Sequence, residues 1–561
     1  MRRTIALIVF AILIANHVSA GIAHAQEAAR IDATAWRADL RYVAEELPRR
    51  HPNLFYRMTE ASWDSAVAAV DRGIDTMSLN QALVAFMQLV ALPRDGHTTI
   101  NPMFDRAIGA RYYPVQLEWF EDGVFVRSAA PQLAAIVGAR VVRVGRVTTE
   151  QALAAVASTL PHENEWWLRA WGPGRLMIPE IMDGLGLVED PERMVLVVER
   201  DGRQENVELH PAGRFEPQGH NPMDAIDRSG WLDMRGAAEP ALWLRQPGWP
   251  YWMEYVNADS TLYVSYRAVV SIDNHPRSNT EFWRGVFAAT DSLPLARLVL
   301  DLRENIGGNS FFNRQVIRGI VARPALDRAD RLFVIIGSRT FSAAMNLVLD
   351  LERWTNATFV GEPTGNATVF FGDHLSLVLQ GSGITVNVSS LPWYPDDPRD
   401  HRDSIVPRIY APLASGDYRD NKDPAMRAIL RARSEPSFAA RMEEALQRGD
   451  EAAAAGALED ARLDVANRFR NLESEVNALG YELLRTHRAE AAIAAFTINT
   501  RAYPKSANTW DSLGEALLAS GHREDGLAAY RKALAIDPQF ASAQQVLERL
   551  GEKGNAANGK P

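Results

Sequence analysis

Hydrophobic positions change period several times along the chain, and each change predicts a different element. Over residues 34–90, Trp36, Leu40, Val43 and Leu47 share one helical face, and residues 61–70 and 83–89 repeat that spacing. Ser78 or Asn80 stands where it can cap the last of these helices. Residues 112–207 mix β and helical signals: 123–126 and 138–145 read as strands with turns and 148–160 as a helix. Segments 194–199 and 206–209 read as a hairpin about Asp201-Gly202. Residues 213–240, rich in Gly, Pro, Asp and Arg, read as a linker. Strands are expected at 241–244 and 262–266, and a hairpin at 375–379 with 383–388.

The chain is organised around residues 298–346. Leu298-Val299-Leu300-Asp301-Leu302-Arg303 has the continuous apolar character of a buried parallel strand. It breaks at Asn305-Ile306-Gly307-Gly308-Asn309, where paired glycines permit positive φ and close approach of the backbone. A helical stretch over 311–321 and a second apolar strand over 332–337 follow. The sequence Ser338-Arg339-Thr340-Phe341-Ser342-Ala343-Ala344 then leads into a helix carrying Leu347, Leu349 and Leu351. By itself Ser342 is an ordinary helix cap. A serine at the carboxyl end of a buried strand is also placed to be a nucleophile, with outward N–H groups at the helix start.

Two paired turns and the segments around them favour the nucleophile. Asp301 to Gly308, Thr340-Phe341-Ser342-Ala343-Ala344 and Gly361-Glu362-Pro363-Thr364-Gly365 occur in an order that resembles the core of the C-terminal-processing serine peptidases. That superfamily includes tail-specific proteases, the tricorn core protease and retinoid-binding repeats. The resemblance implies an α/β catalytic domain of crotonase-like (ClpP/crotonase) type and a peptide or protein substrate. It also implies an oxyanion site formed by the backbone N–H groups of Gly308 and Ala343. Asp301 and Arg303 are expected to hold the glycine turn, and Gly307 to permit a close crossing. Residues 393–407 resemble the family's closing motif, with Arg408 where an acid is usual. Residues 112–207 resemble a PDZ-like module, which would bind peptide ends or merely shield the cleft.

A serine hydroxyl needs a neighbour to take its proton. No lysine precedes Lys422, and none lies between Ser342 and Pro407, so a Ser–Lys pair is excluded as the reading. Asp95-Gly96-His97-Thr98 resembles the signature in which tricorn-type members keep a histidine near the nucleophile. The resemblance makes His97 the expected base, with His374 the competitor. The closing motif implies Asp400 as the carboxylate that orients the imidazole, with Asp403 and Glu362 as alternatives. Met345 stands where peptidases of this kind often carry a glutamate.

Composition narrows the rest. The chain has 561 residues, 47% hydrophobic and 23% charged, with a formal net charge of -10, which offers no basic footprint for nucleic acid. It has no cysteine, so disulfides and thiolate chemistry are out. No phosphate loop, dinucleotide fingerprint or metal-spaced histidine pair occurs, and no cofactor or metal is expected. Arg2-Arg3, the apolar run 5–14 and Ala23-His24-Ala25 read as a secretory signal cleaved after Ala25. The mature chain is therefore expected to be secreted or periplasmic, with no membrane span.

Past Pro436 the chain is alanine-rich and repeats at a spacing of 34: Leu479-Gly480 against Leu513-Gly514, Phe496 against Tyr530, and Pro504 against Pro538. This pattern, with Trp510, is that of tetratricopeptide units, a solenoid that docks a protein partner. The expected layout is a signal peptide (1–25), a helical domain (26–108), a PDZ-like domain (110–212), a catalytic domain (213–432), a repeat segment (436–552) and a disordered tail (553–561). The expected function is an extracytoplasmic serine peptidase, endopeptidase or carboxy-terminal processing, that uses Ser342 and a histidine base. The alternative is a catalytically silent relative that holds a peptide or hydrophobic ligand in the cleft while the repeats dock a partner.

Overall fold

A computed structural model describes residues 31–216, 226, 228–272, 275–434 and 436–551. The signal at 1–25 and the tail at 553–561 lie outside the described residues. The chain divides into two compact units. One comprises Met1–Ala357, Gly361–Val406 and Pro412–Pro424, and the other Thr358–Val360, Pro407–Ala411 and Ala425–Pro561.

The first unit opens with three helices, α1 (Ala33–Arg50), α2 (Glu60–Gly73) and α3 (Leu79–Ala91). Each starts at a side-chain cap: Asp32, Thr59 and, through a reciprocal box with Gln81, Ser78. Trp36, Leu40, Val43 and Leu47 are all buried, as their 3.6-residue period requires.

Their core continues into an antiparallel sheet of β2 (Val115–Phe120), β3 (Gly123–Ala129), β4 (Arg140–Val144), β6 (Met194–Arg200) and β7 (Arg203–Leu209), which pair in that order. The helix expected at 148–160 forms as α4 (Thr149–Ala157), preceded by the short β5 (Val147–Thr148). The 213–240 linker is not merely a connection. Gly213–Arg214 (β8) pairs with Arg111–Tyr112 (β1), and Leu232–Asp233 (β9) adds to β3.

The central sheet carries the site. Strands Tyr251–Val256 (β10) and Thr261–Tyr266 (β11) run antiparallel, and β11 is followed by the parallel strands β12 (Arg297–Asp301) and β13 (Leu332–Ile336). Every residue of β11, β12 and β13 is buried, which accounts for the apolar runs 298–300 in β12 and Leu332–Ile336 in β13. Helices Asn279–Ser292 and Asn313–Val321 make the two crossovers, and Ala343–Trp354 follows β13. The strand expected at 241–244 is instead a tight turn, Leu242–Leu244, that follows Pro240 and tucks Trp243 into a small core. Four apolar residues were too short a run to separate the two. The hairpin at Leu375–Val378 and Thr385–Val388 is antiparallel.

The second unit is helical past residue 425. Helices Leu472–Arg485 and Ala489–Ala502 recur as Ala507–Ala519 and Arg523–Ile536. A Cβ on Gly480 would lie 2.5 Å from the Phe496 ring, and one on Gly514 2.9 Å from the Tyr530 ring. The glycines thus let each helix pair close onto an aromatic ring, at the same place in both.

Candidate active site

Ser342 follows β13 at the start of the helix Ala343–Trp354, with φ +54° and ψ −125°. Few non-glycine residues hold such a backbone, and it persists only where the surroundings impose it. The hydroxyl makes no capping bond. The Ser342 N–H is instead held by Asn366 Oδ1, and Asn366 Nδ2 donates to Glu163 Oε2. Asn305, at the head of the glycine turn, accepts the Phe341 N–H at its carbonyl (3.0 Å). Both turns are thereby locked together.

His97 Nε2 lies 2.9 Å from Ser342 Oγ, across 245 residues of sequence. The histidine loop is fixed from three sides. Thr99 pairs with Asn387 of the hairpin through two backbone bonds, 3.0 and 2.9 Å. Asp95 Oδ1 accepts the His97 N–H, while its Oδ2 accepts from Thr98 Oγ1 at 2.5 Å and Ser389 Oγ at 2.6 Å. His51 Nε2 is 3.0 Å from the same oxygen, and His51 Nδ1 accepts the Asn53 N–H, so the Nε2 proton points at Asp95. Stacking completes the mounting: Phe341 lies 4.6 Å from the His97 ring and 4.0 Å from Trp167.

Burial pushes the His97 pKa below its ordinary 6.5, only partly offset by the Asp95 carboxylate, so the ring is neutral at pH 7. Burial also opposes the Asp95 charge, but the His51 bond and the two histidines hold its pKa below the usual carboxylate value.

The glycine turn approaches closely. A Cβ on Gly307 would stand 2.6 Å from Ser342 Cβ and 2.9 Å from the Ala343 nitrogen, and one on Gly308 2.4 Å from the Val269 carbonyl oxygen. Both glycines have positive φ, 105° and 136°. Val269 bridges to the turn by donating to Gly307 O and accepting from Asn309 N, which turns the Gly308 N–H away from that bridge. The Ala343 N–H, in the first turn of its helix, has no intrahelical acceptor. Both groups border one cavity of about 1070 Å³ together with Ser342 and His97.

The carboxylates named from sequence do not meet His97. Asp400 Oδ1 accepts from Thr368 Oγ1 (3.1 Å) and Arg402 Nε (2.9 Å), so it is committed within the closing loop. His97 Nδ1 is buried and bonded to nothing among the described residues. Asp403 offers its backbone carbonyl to Asn164, and Glu362, raised to about 7 by burial, faces Arg169 and Glu118. His374 is exposed at the cavity and makes no bond to Ser342. Asp301 and Arg303 bond to each other, to Tyr263 and to Asp423, away from the cavity.

Sequence reading passed over four residues that matter to the geometry. Asp95 stood inside the histidine motif, two positions before His97, and that proximity was its signal. Asn366 follows the Gly361–Gly365 motif directly. Glu163 and Arg175 lie in a mixed segment with no local pattern to mark them. Only the fold brings those two to the cavity's surroundings.

No protein-family model matches the chain, and no curated protein does. Among solved structures the chain resembles mature CPAF complexed with lactacystin at 13% identity and a TM-score of 0.51, over 72% of this chain and 98% of that one. Mature CPAF alone gives 13% identity and a TM-score of 0.50, over 72% and 96%. A looser likeness, with a TM-score of 0.35, is to the photosystem II D1 C-terminal processing protease, at 13% identity over 71% and 97%. The likeness to mature CPAF establishes a shared mixed α/β fold over 72% of the chain and leaves the chemistry to be read from the site.

Proposed function

We propose that the chain is a serine peptidase in which Ser342 is the nucleophile and His97 its base. The observation that carries this is the 2.9 Å contact between His97 Nε2 and Ser342 Oγ, beside the Gly308 and Ala343 backbone N–H groups, which have no acceptor among the described residues. His97 takes the hydroxyl proton as Oγ bonds to the scissile carbonyl carbon. The oxyanion accepts from Gly308 and Ala343, and His97 then passes the proton to the departing amine. Water repeats the cycle on the acyl-enzyme and restores Ser342. Asp95 takes the place first assigned to Asp400, acting through the His97 backbone and through its charge rather than at Nδ1.

Three separate sequence features add to this reading: the pattern of 112–207 supports a PDZ-like role, the repeat at a spacing of 34 supports tetratricopeptide docking, and Arg2-Arg3 with the apolar run 5–14 supports export directed by residues 1–25. The test is hydrolysis of fluorescein-labelled casein by the purified chain, with product ends mapped by mass spectrometry. Cleavage lost in Ser342→Ala is expected, and cleavage that persists in that variant rejects the reading.

One observation favours a silent binding cleft: among the described residues no carboxylate is bonded to the buried His97 Nδ1 to steady an imidazolium. In that reading casein stays intact while peptides still bind.

A further inference from the structure

The helix Glu165–Arg175 lies along the Ser342 cavity and brings three side chains to it at helical spacing: Trp167, Trp171 and Arg175. Trp167 is spent on the stack with Phe341. The other two carry donors that the protein leaves unused. Arg175 is only 3% exposed, yet its guanidinium makes no hydrogen bond or ion pair among the described residues, and Nη1 is fully enclosed. The Trp171 Nε1–H is likewise enclosed and without an acceptor among the described residues.

This is unlike the protein's treatment of its other buried arginines. Arg339, which lies 5.9 Å from the Trp171 ring, is paired with Glu304 at 2.8 Å and Glu118 at 3.3 Å. Arg303 is bonded to Asp301 and Asp423. Arg297, buried to a similar degree, donates to Thr261 Oγ1. Burial alone lowers the Arg175 pKa, to about 10, with no carboxylate acting on it, and the group stays charged at neutral pH. A buried, unpaired cation is strongly unfavourable unless an anion completes it, and a planar fork of donors matches a carboxylate.

We propose that Arg175, assisted by the Trp171 N–H one turn before it, binds a carboxylate of the substrate inside the Ser342 cavity. This rests on reading that cavity as the peptide cleft. The carboxylate is either the free end of the substrate chain or an Asp or Glu side chain near the bond to be cut. The first would make cleavage fall close to the carboxyl terminus, the second beside an internal acid.

The test is equilibrium dialysis of the full-length Ser342→Ala protein against three pools of N-acetylated hexapeptides, read by mass spectrometry. One pool has a free carboxyl end and no Asp or Glu. A second has an amidated end and no Asp or Glu, and a third has an amidated end with one Glu. Retention of the first or third pool at least about tenfold above the second is expected, as for a charge-assisted bond in a desolvated site. The ratio falls to near one in Arg175→Gln and returns in part in Arg175→Lys. Preference for the first pool identifies the chain end, and for the third the side chain. Equal retention of all pools, no retention of any, or a preference that survives Arg175→Gln overturns the proposal.

Arg175→Gln should melt at or above the parent, since an unpaired charge is removed, and Arg175→Lys serves if it does not fold. The two readings separate cleanly. A carboxylate preference in a protein that never cleaves casein rejects the peptidase and keeps the site, whereas cleavage without the preference does the reverse.

Discussion

At the residue scale the account turns on a neutral histidine and a strained serine. Because His97 is held below 6.5, its neutral form persists into mildly acid solution. The acid limb of Ser342 acylation by a neutral active-site probe is therefore expected below pH 6.5, and a limb above that value would contradict it. Gly307→Ala forces a methyl group into Ser342 Cβ and the Ala343 nitrogen. Displacing that donor should cut the acylation rate by about two to three orders of magnitude. Glu163 behaves differently. Burial, only partly offset by Arg57, raises its pKa to about 7 in the folded chain. Its stabilising protonated state is complete below about 4.5 and is lost as the pH rises through about 7. Glu163→Gln should accordingly flatten the fall in melting temperature between pH 5 and 8. Part of the slope remains through Glu362, which is raised to the same value. The meeting of Ser342 with His97, and the place of Gly308 and Ala343 on the same cavity, were legible because each residue sits in a short contiguous motif. The acid was not, since choosing among carboxylates depends on which loop folds back, and Asp400 is claimed by Arg402.

At the element scale the histidine loop is positioned by neighbours far away in sequence. The hairpin Thr385–Val388 pins Thr99, and the helix Glu165–Arg175 stacks Trp167 on Phe341. Trp167→Ala should cost about 3–5 kcal/mol by large-to-small truncation of a buried ring, measured by urea unfolding. Trp167→Phe should cost much less, because it keeps the stack. The continuous apolar stretches revealed the buried parallel strands β12 and β13. The same signal failed at residues 241–244, where Pro240 and a buried Trp243 make a turn from an equally apolar run. The short strands inside the 213–240 segment were equally invisible, since two residues carry no period.

At the scale of the whole molecule, the first unit is closed by a charged link between distant parts of the chain. Arg303, just past β12, is bonded to Asp423 at 3.1 and 2.9 Å. The Asp423 side chain is 7% exposed and the Arg303 side chain 13%. Asp423→Ala removes these two bonds but leaves Arg303 paired with Asp301, so it should destabilise the unit by about 1–3 kcal/mol in urea unfolding. The sequence announced the order of helical, mixed, central and repeat segments through its changes of period. It carried no sign of this link, which joins residues 120 apart. The most direct measurement on the intact chain is fluorophosphonate labelling with peptide mapping, in parallel on Ser342→Ala and His97→Ala. Labelling confined to Ser342 and lost in both variants is the expected result. No labelling of the parent, or labelling of Ser342 undiminished in His97→Ala, would contradict the pairing of this serine with this histidine.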